Sequence, residues 1–115
     1  MIKRVNHITL PVSDMKRAVH FYEKYLGLKK TRGEQDPNYV IFDVGGVEFG
    51  LELGGKLEIF LQVEDVDKAY KSLKKKGVKF LTEPKDQLWG GRTATLADPD
   101  GNMFTLVHFK SETAG

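Results

Sequence analysis

The sequence predicts an α+β fold of two tandem βαβββ modules whose curved mixed sheets surround a cleft. Three observations predict it. Short apolar runs alternate with period two, two longer runs carry a helical period, and the order of these runs starts again after Gly54-Gly55. The 115 residues are enough for one domain with one core and too few for two independent domains of ordinary size. The expected organisation is a single domain over residues 1–115, with module one over about residues 1–54, module two over about 56–110, and a short polar C-terminal tail.

Module one opens with a strand over residues 5–12. Val5, His7, Thr9 and Pro11 share one face, and Asn6, Ile8, Leu10 and Val12 share the other, which is apolar enough to pack on a helix. Ser13 is placed to cap that helix, in which Met15, Ala18, Val19, Tyr22, Tyr25 and Leu26 recur at the spacing of one buried face. Gly27 ends it. Lys16, Arg17, His20, Glu23 and Lys24 fall on the opposite face, which makes His20 a solvated surface histidine. Three strands follow, over residues 28–34, Tyr39–Val44 and Val47–Leu53, with Gly45-Gly46 as the tight turn between the last two. Residues 34–38, which include Asp36-Pro37-Asn38, read as a hairpin loop.

Module two repeats the plan with Glu58–Val63, then Asp65 and a helix using Val66, Ala69, Tyr70 and Leu73, closed by Gly77. Strands are predicted over residues 78–82, 92–97 and Met103–Phe109, with Asp98-Pro99-Asp100-Gly101 as the last turn. His7 and Glu58 are 51 positions apart, and so are Leu10 and Leu61, Val12 and Val63, Asp14 and Asp65, Ala18 and Ala69. One offset serves strand and helix together, as a direct internal repeat requires. Either module alone would leave the inner face of a four-stranded sheet exposed, so pairing buries part of that face and leaves a cleft.

Composition narrows the function classes. With 40% hydrophobic and 30% charged residues, and no run near the roughly 18 apolar residues of a membrane span, the chain reads as soluble with no membrane partner. The basic pair Lys3-Arg4 runs directly into the first strand with no apolar signal segment, which points to a cytoplasmic location. The absence of cysteine excludes disulfides, thiolate nucleophiles and cysteine-ligated zinc, so any metal must use His, Asp or Glu. The 18 basic and 16 acidic residues are interspersed, unlike the concentrated basic face of a nucleic-acid binder. Lys74-Lys75-Lys76 ends a predicted helix, where cations suit the negative end of the dipole.

Asn6-His7-Ile8-Thr9-Leu10-Pro11-Val12-Ser13-Asp14, then Ala18-Val19-His20-Phe21-Tyr22 and Tyr25-Leu26-Gly27-Leu28, resemble the opening strand and helix of the vicinal oxygen chelate superfamily, the glyoxalase and bleomycin-resistance group. Asp98-Pro99-Asp100-Gly101-Asn102 followed by Phe104-Thr105-Leu106 resembles its closing turn and strand. The resemblance implies modules curled around a cavity, a homodimer in which modules of two chains share that cavity, and metal ligands on the first and last strand of each module. Carried over by position, those ligand sites are His7, Glu52, Glu58 and Thr105. Two departures stand out: Glu58 occupies a position usually held by histidine, and Thr105 one usually held by glutamate. The metal set that remains is His7, Glu52 and Glu58, an oxygen-rich set for a divalent ion, with manganese, iron, magnesium, nickel and zinc not distinguished. An ion there would chelate two neighbouring substrate oxygens and stabilise an enediolate, with Glu52 or Glu58 as the catalytic base. Pro11 stands where glyoxalase I has a basic residue that helps hold glutathione, so a different substrate is expected.

The residues themselves keep alternatives open. His7 is either a metal ligand or a histidine hydrogen-bonded inside a polar pocket. Glu52, between Leu51 and Leu53, needs a partner that a metal or an arginine would supply. Trp89, beside Gly90 and Gly91, is either a loop aromatic that stacks on a ligand or a core tryptophan next to a tight turn, and Arg92 could pair with an acidic ligand group. Strand parity adds Tyr39, Phe60 and Gln62 to the ligand-binding candidates. Two classes follow for a small-molecule ligand or substrate. One is a divalent-metal-dependent lyase or isomerase acting on a small oxygen-rich substrate; the other is a metal-free binding or sequestering protein of the bleomycin-resistance type.

Overall fold

In the computed structural model, which describes residues 1–32 and 36–109, the chain has the α+β class expected, eight strands and two short helices. Its contacts divide it into two compact units: residues 6–58, and the residues from Ile59 onward together with Met1–Val5. The expected polar tail and residues 33–35, at the end of an expected strand and the start of the hairpin loop, lie outside the described residues.

The unit of residues 6–58 has the βαβββ order. It contains most of β1 (Ile2–Val12), then α1 (Met15–His20), which runs directly into a π-helical turn (Phe21–Tyr25), then β2 (Lys29–Arg32), β3 (Tyr39–Val44) and β4 (Val47–Leu53). The strands lie in the order β2-β3-β4-β1, with β1 parallel to β4 and the other neighbours antiparallel. Parallel neighbours in one chain need a long crossover connection, which α1 with its π turn begins and β2 and β3 complete. Gly45 and Gly46 both have positive φ, as a two-residue hairpin turn demands. Val40, Phe42 and Leu51 form the buried core, and Leu10, Val12, Met15, Ala18, Val19 and Tyr22 pack against it. The apolar face of β1 therefore meets the helix, as its alternation requires.

Two local expectations are corrected. Asp14, not Ser13, caps α1: its backbone is extended and its Oδ1 accepts from the Arg17 amide at 3.1 Å. Tyr25 and Leu26 do not extend the buried face; they are 72% and 53% exposed. The π turn inserts an extra residue per turn, shown by the Leu26 amide donating to the Phe21 carbonyl, so the 3.6-residue phase is lost after Tyr22. The strand expected over residues 28–34 is described only as β2.

The other unit comprises β5 (Glu58–Val63), which starts at the last residue of the first unit, α2 (Val66–Lys75), β6 (Lys85–Asp86), β7 (Gly91–Ala97) and β8 (Met103–Phe109), in the order β5-β8-β7-β6. Val63, Val66, Ala69, Ala94 and Leu106 form its core, with Leu61, Tyr70, Leu73, Phe80 and Leu96 packed on it. Asp65 caps α2 as Asp14 caps α1, accepting from the amide three residues on. No regular strand forms over residues 78–82. The amides of Leu81 and Thr82 converge on the single carbonyl of Thr95, leaving one bridge at Phe80 and Leu96, and the ladder does not advance. Pro84 then offers no amide, and pairing resumes only as the two-residue β6. Among the described residues no helix is long and apolar enough to cross a membrane.

Candidate functional site

The site is built where β1 and β4 run side by side. Their register sets His7 opposite Glu48, Thr9 opposite Gly50 and Pro11 opposite Glu52. Alternation turns all six away from the helix-packed core. His7 is 7% exposed and Thr9 is 5% exposed, so their polar groups need partners inside the protein. Glu48 Oε1 lies 3.0 Å from His7 Nδ1, and the Tyr39 hydroxyl lies 2.8 Å from His7 Nε2. In the neutral ring, Nδ1–H donating to the carboxylate leaves Nε2 to accept from the phenol.

Gly50 makes this meeting sterically feasible. A Cβ there would stand 2.6 Å from the Tyr39 oxygen and 2.7 Å from His7 Nε2, closer than real side chains tolerate. Burial raises the pKa of the Tyr39 phenol above its ordinary value. A hydrogen bond from Thr9 works against that rise, and the charges of Glu52, Glu48 and Glu58 add to it. The phenol therefore keeps the proton that it shares with His7.

The structure brings only some of the expected residues together. Glu52 is the register partner of Tyr39, and its carboxyl group folds back over Gly55, where an added Cβ would collide with it. It stands four positions along β4 from Glu48, roughly 13 Å of strand. Glu58 is half-buried at the start of β5 and acts on Tyr39 through its charge. Thr105 is buried, its hydroxyl 2.9 Å from that of Thr95. Among the described residues no group of three or more His, Asp or Glu is placed to hold a metal ion. With Glu48 on one ring nitrogen of His7 and Tyr39 on the other, this arrangement does not fit a divalent ion. Sequence reasoning missed Glu48. Strand parity puts Glu48 and Glu52 on the same face as His7, and only the register selects between them.

The remaining candidates lie in the other unit. Arg92 makes a fork with Asp67 of α2, Nε to Oδ2 and Nη2 to Oδ1 both at 2.8 Å, and its Nη1 reaches Asp86 of β6 at 3.0 Å. These bonds raise the Arg92 pKa and lower that of Asp67. Arg92 thus fastens β7 to α2 and β6. Trp89 is 57% exposed, so it is not a core tryptophan; its ring lies 6.0 Å from that of Phe109 and leaves no room for a side chain at Gly91. Phe60 and Gln62 are half-buried on β5 at positions of the same parity as Glu58.

Comparison with known proteins agrees with this architecture. The family model described as the Glyoxalase/Bleomycin resistance protein/Dioxygenase superfamily matches residues 4–106. The chain is 34% identical to the uncharacterized protein YraH of Bacillus subtilis (strain 168), over 86% of this chain and 93% of that protein. It is 28% identical to a lactoylglutathione lyase of Escherichia coli O157:H7, over 97% of both. The fold resembles that of methylmalonyl-CoA epimerase from Mycobacterium tuberculosis, with a TM-score of 0.78 at 17% identity over 98% of this chain and 92% of that one.

Proposed function

Because the chain belongs to the glyoxalase/bleomycin resistance protein/dioxygenase superfamily, we propose that it binds a small molecule at the Tyr39–His7–Glu48 face, with no resident metal ion on His7. The observation that carries this reading is the engagement of both ring nitrogens of a buried histidine. Glu48 fixes the ring's tautomer and orientation, His7 holds the phenol by its proton, and half-buried Tyr39 presents its oxygen toward a ligand. Trp89 supplies an exposed aromatic surface for a ligand in the other unit, with Phe60 and Gln62 as further candidates.

A second reading, a metal-dependent lyase or isomerase, is favoured by the similarity to lactoylglutathione lyase over 97% of that protein. It requires His7 to give up Tyr39, and Glu52 and Glu58 to move toward the ring. Elemental analysis of the purified protein and calorimetric titration with Mn²⁺ and Zn²⁺ separate the two. Substoichiometric metal is expected; one equivalent per chain, lost in His7→Ala, would establish the second reading in place of the first. The homodimer and the cytoplasmic location belong to the same proposal, with light scattering and cell fractionation as their checks.

A further inference from the structure

The hydrogen-bond chain at this site has a direction, and its direction selects a class of ligand. The Glu48 carboxylate can only accept, so a neutral His7 ring donates through Nδ1 and accepts through Nε2. A phenol has a single proton, and Tyr39 spends it on Nε2. What remains on the Tyr39 oxygen is acceptor capacity, part of which Thr9 uses. We propose that this site is specific for neutral or cationic ligands that bring a hydroxyl or ammonium donor to Tyr39, and that it discriminates against anionic carboxylates. This rests on the small-molecule reading above.

The surroundings of the phenol favour the same class. In residues 6–12 of β1 and in β3 and β4 there is no Lys or Arg, while Asp43, Glu48 and Glu52 share the parity of Tyr39 through the β3/β4 register. The cations in register with the parity of Tyr39 belong to the edge strand β2, where Arg32 stands opposite Ile41 and Lys29 opposite Asp43. An anion placed against Tyr39 would meet acceptors and like charge, whereas a donor finds an oriented lone pair. Gly50 adds the shape: without a side chain beneath them, His7 and Tyr39 close over the strand and fix the oxygen's position.

The test uses three probes of one size: benzylammonium, benzyl alcohol and benzoate, titrated into the ¹⁵N-labelled full-length protein and followed at the Tyr39 and His7 resonances. Benzylammonium and benzyl alcohol are expected to shift both residues, with benzoate at least about tenfold weaker. Tyr39→Phe is expected to weaken benzylammonium about five- to tenfold at these resonances. The ring nitrogens provide an independent readout, with His7 expected to carry its proton on Nδ1 in wild type. Benzoate binding as tightly at Tyr39 would overturn the donor rule and leave the binding reading standing. Silence from all three probes, or a proton on Nε2, would also overturn it; a stoichiometric ion on His7 removes the reading beneath it instead.

Discussion

Glu48 stands directly across from His7 on the neighbouring parallel strand, and its Oε1 lies 3.0 Å from the ring's Nδ1. The pair joins two non-adjacent segments of a single unit at a ring that is 7% exposed. Losing this acceptor withdraws a charge-assisted bond from a buried donor, at a cost of about 1–3 kcal/mol. Glu48→Ala is therefore expected to lower unfolding free energy by that amount, and Glu48→Gln, which keeps an acceptor oxygen, by less. Urea denaturation of the three proteins checks the order.

Gly50→Ala tests the geometry rather than the charge. The added methyl would fall 2.6 Å from the Tyr39 oxygen and 2.7 Å from His7 Nε2, so one of the two rings must move. Both rings are held by hydrogen bonds, and a displacement of this kind costs about 1–3 kcal/mol. The expected signature is loss of the Tyr39–His7 bond in the His7 ¹⁵N spectrum together with a lower denaturation midpoint. An unchanged His7 spectrum would show that the floor beneath the rings is looser than the contacts imply.

The Arg92–Asp67 fork sets a pH dependence. Its bonds hold the Asp67 carboxyl below its ordinary pKa, so the folded state binds this proton less readily than the unfolded chain does. The resulting stability is present above the unfolded pKa of about 3.9 and is lost as pH falls through the lower folded value. The Asp67 side chain is 46% exposed, which limits the contribution to less than about 1 kcal/mol after solvent screening. Asp67→Asn should then be less stable than wild type at neutral pH, with the difference closing below about pH 3.9. A gap that persists at low pH would assign the effect to packing.

How far the sequence reached depends on how local each determinant is. Parity alone separated His7 and Thr9 from Leu10 and Val12, because alternation is a property of one strand and the helix face fixed which side was apolar. The choice of Glu48 over Glu52 was out of reach, since it is set by the register between strands about 40 residues apart. Arg92 reads as a ligand-facing cation only while Asp67, 25 residues earlier, is not seen to turn toward it. Tyr25 and Leu26 fit the helical period, and nothing in their residue types announces the π turn that rotates them outward. The caps were nearer to hand: Asp14 and Asp65 share the 51-residue offset, while Ser13 faces Glu64 in the same alignment and is not repeated.

His108 carries the last prediction, in a residue the sequence did not single out. Its Nδ1 accepts from the Val66 amide at 2.8 Å, at the first residue of α2, and Val66 is fully buried. A helix start leaves its first amides without intrahelical partners, and Asp65 serves the amide of Lys68 rather than that of Val66. His108→Leu would strand a buried donor and is expected to cost about 1–3 kcal/mol. His108→Asn retains an acceptor of similar reach and should recover part of it. Hydrogen exchange at Val66 distinguishes this from a general loss of packing: faster exchange at the α2 N-terminus, with the Leu106 amide still protected, is the outcome expected of His108→Leu.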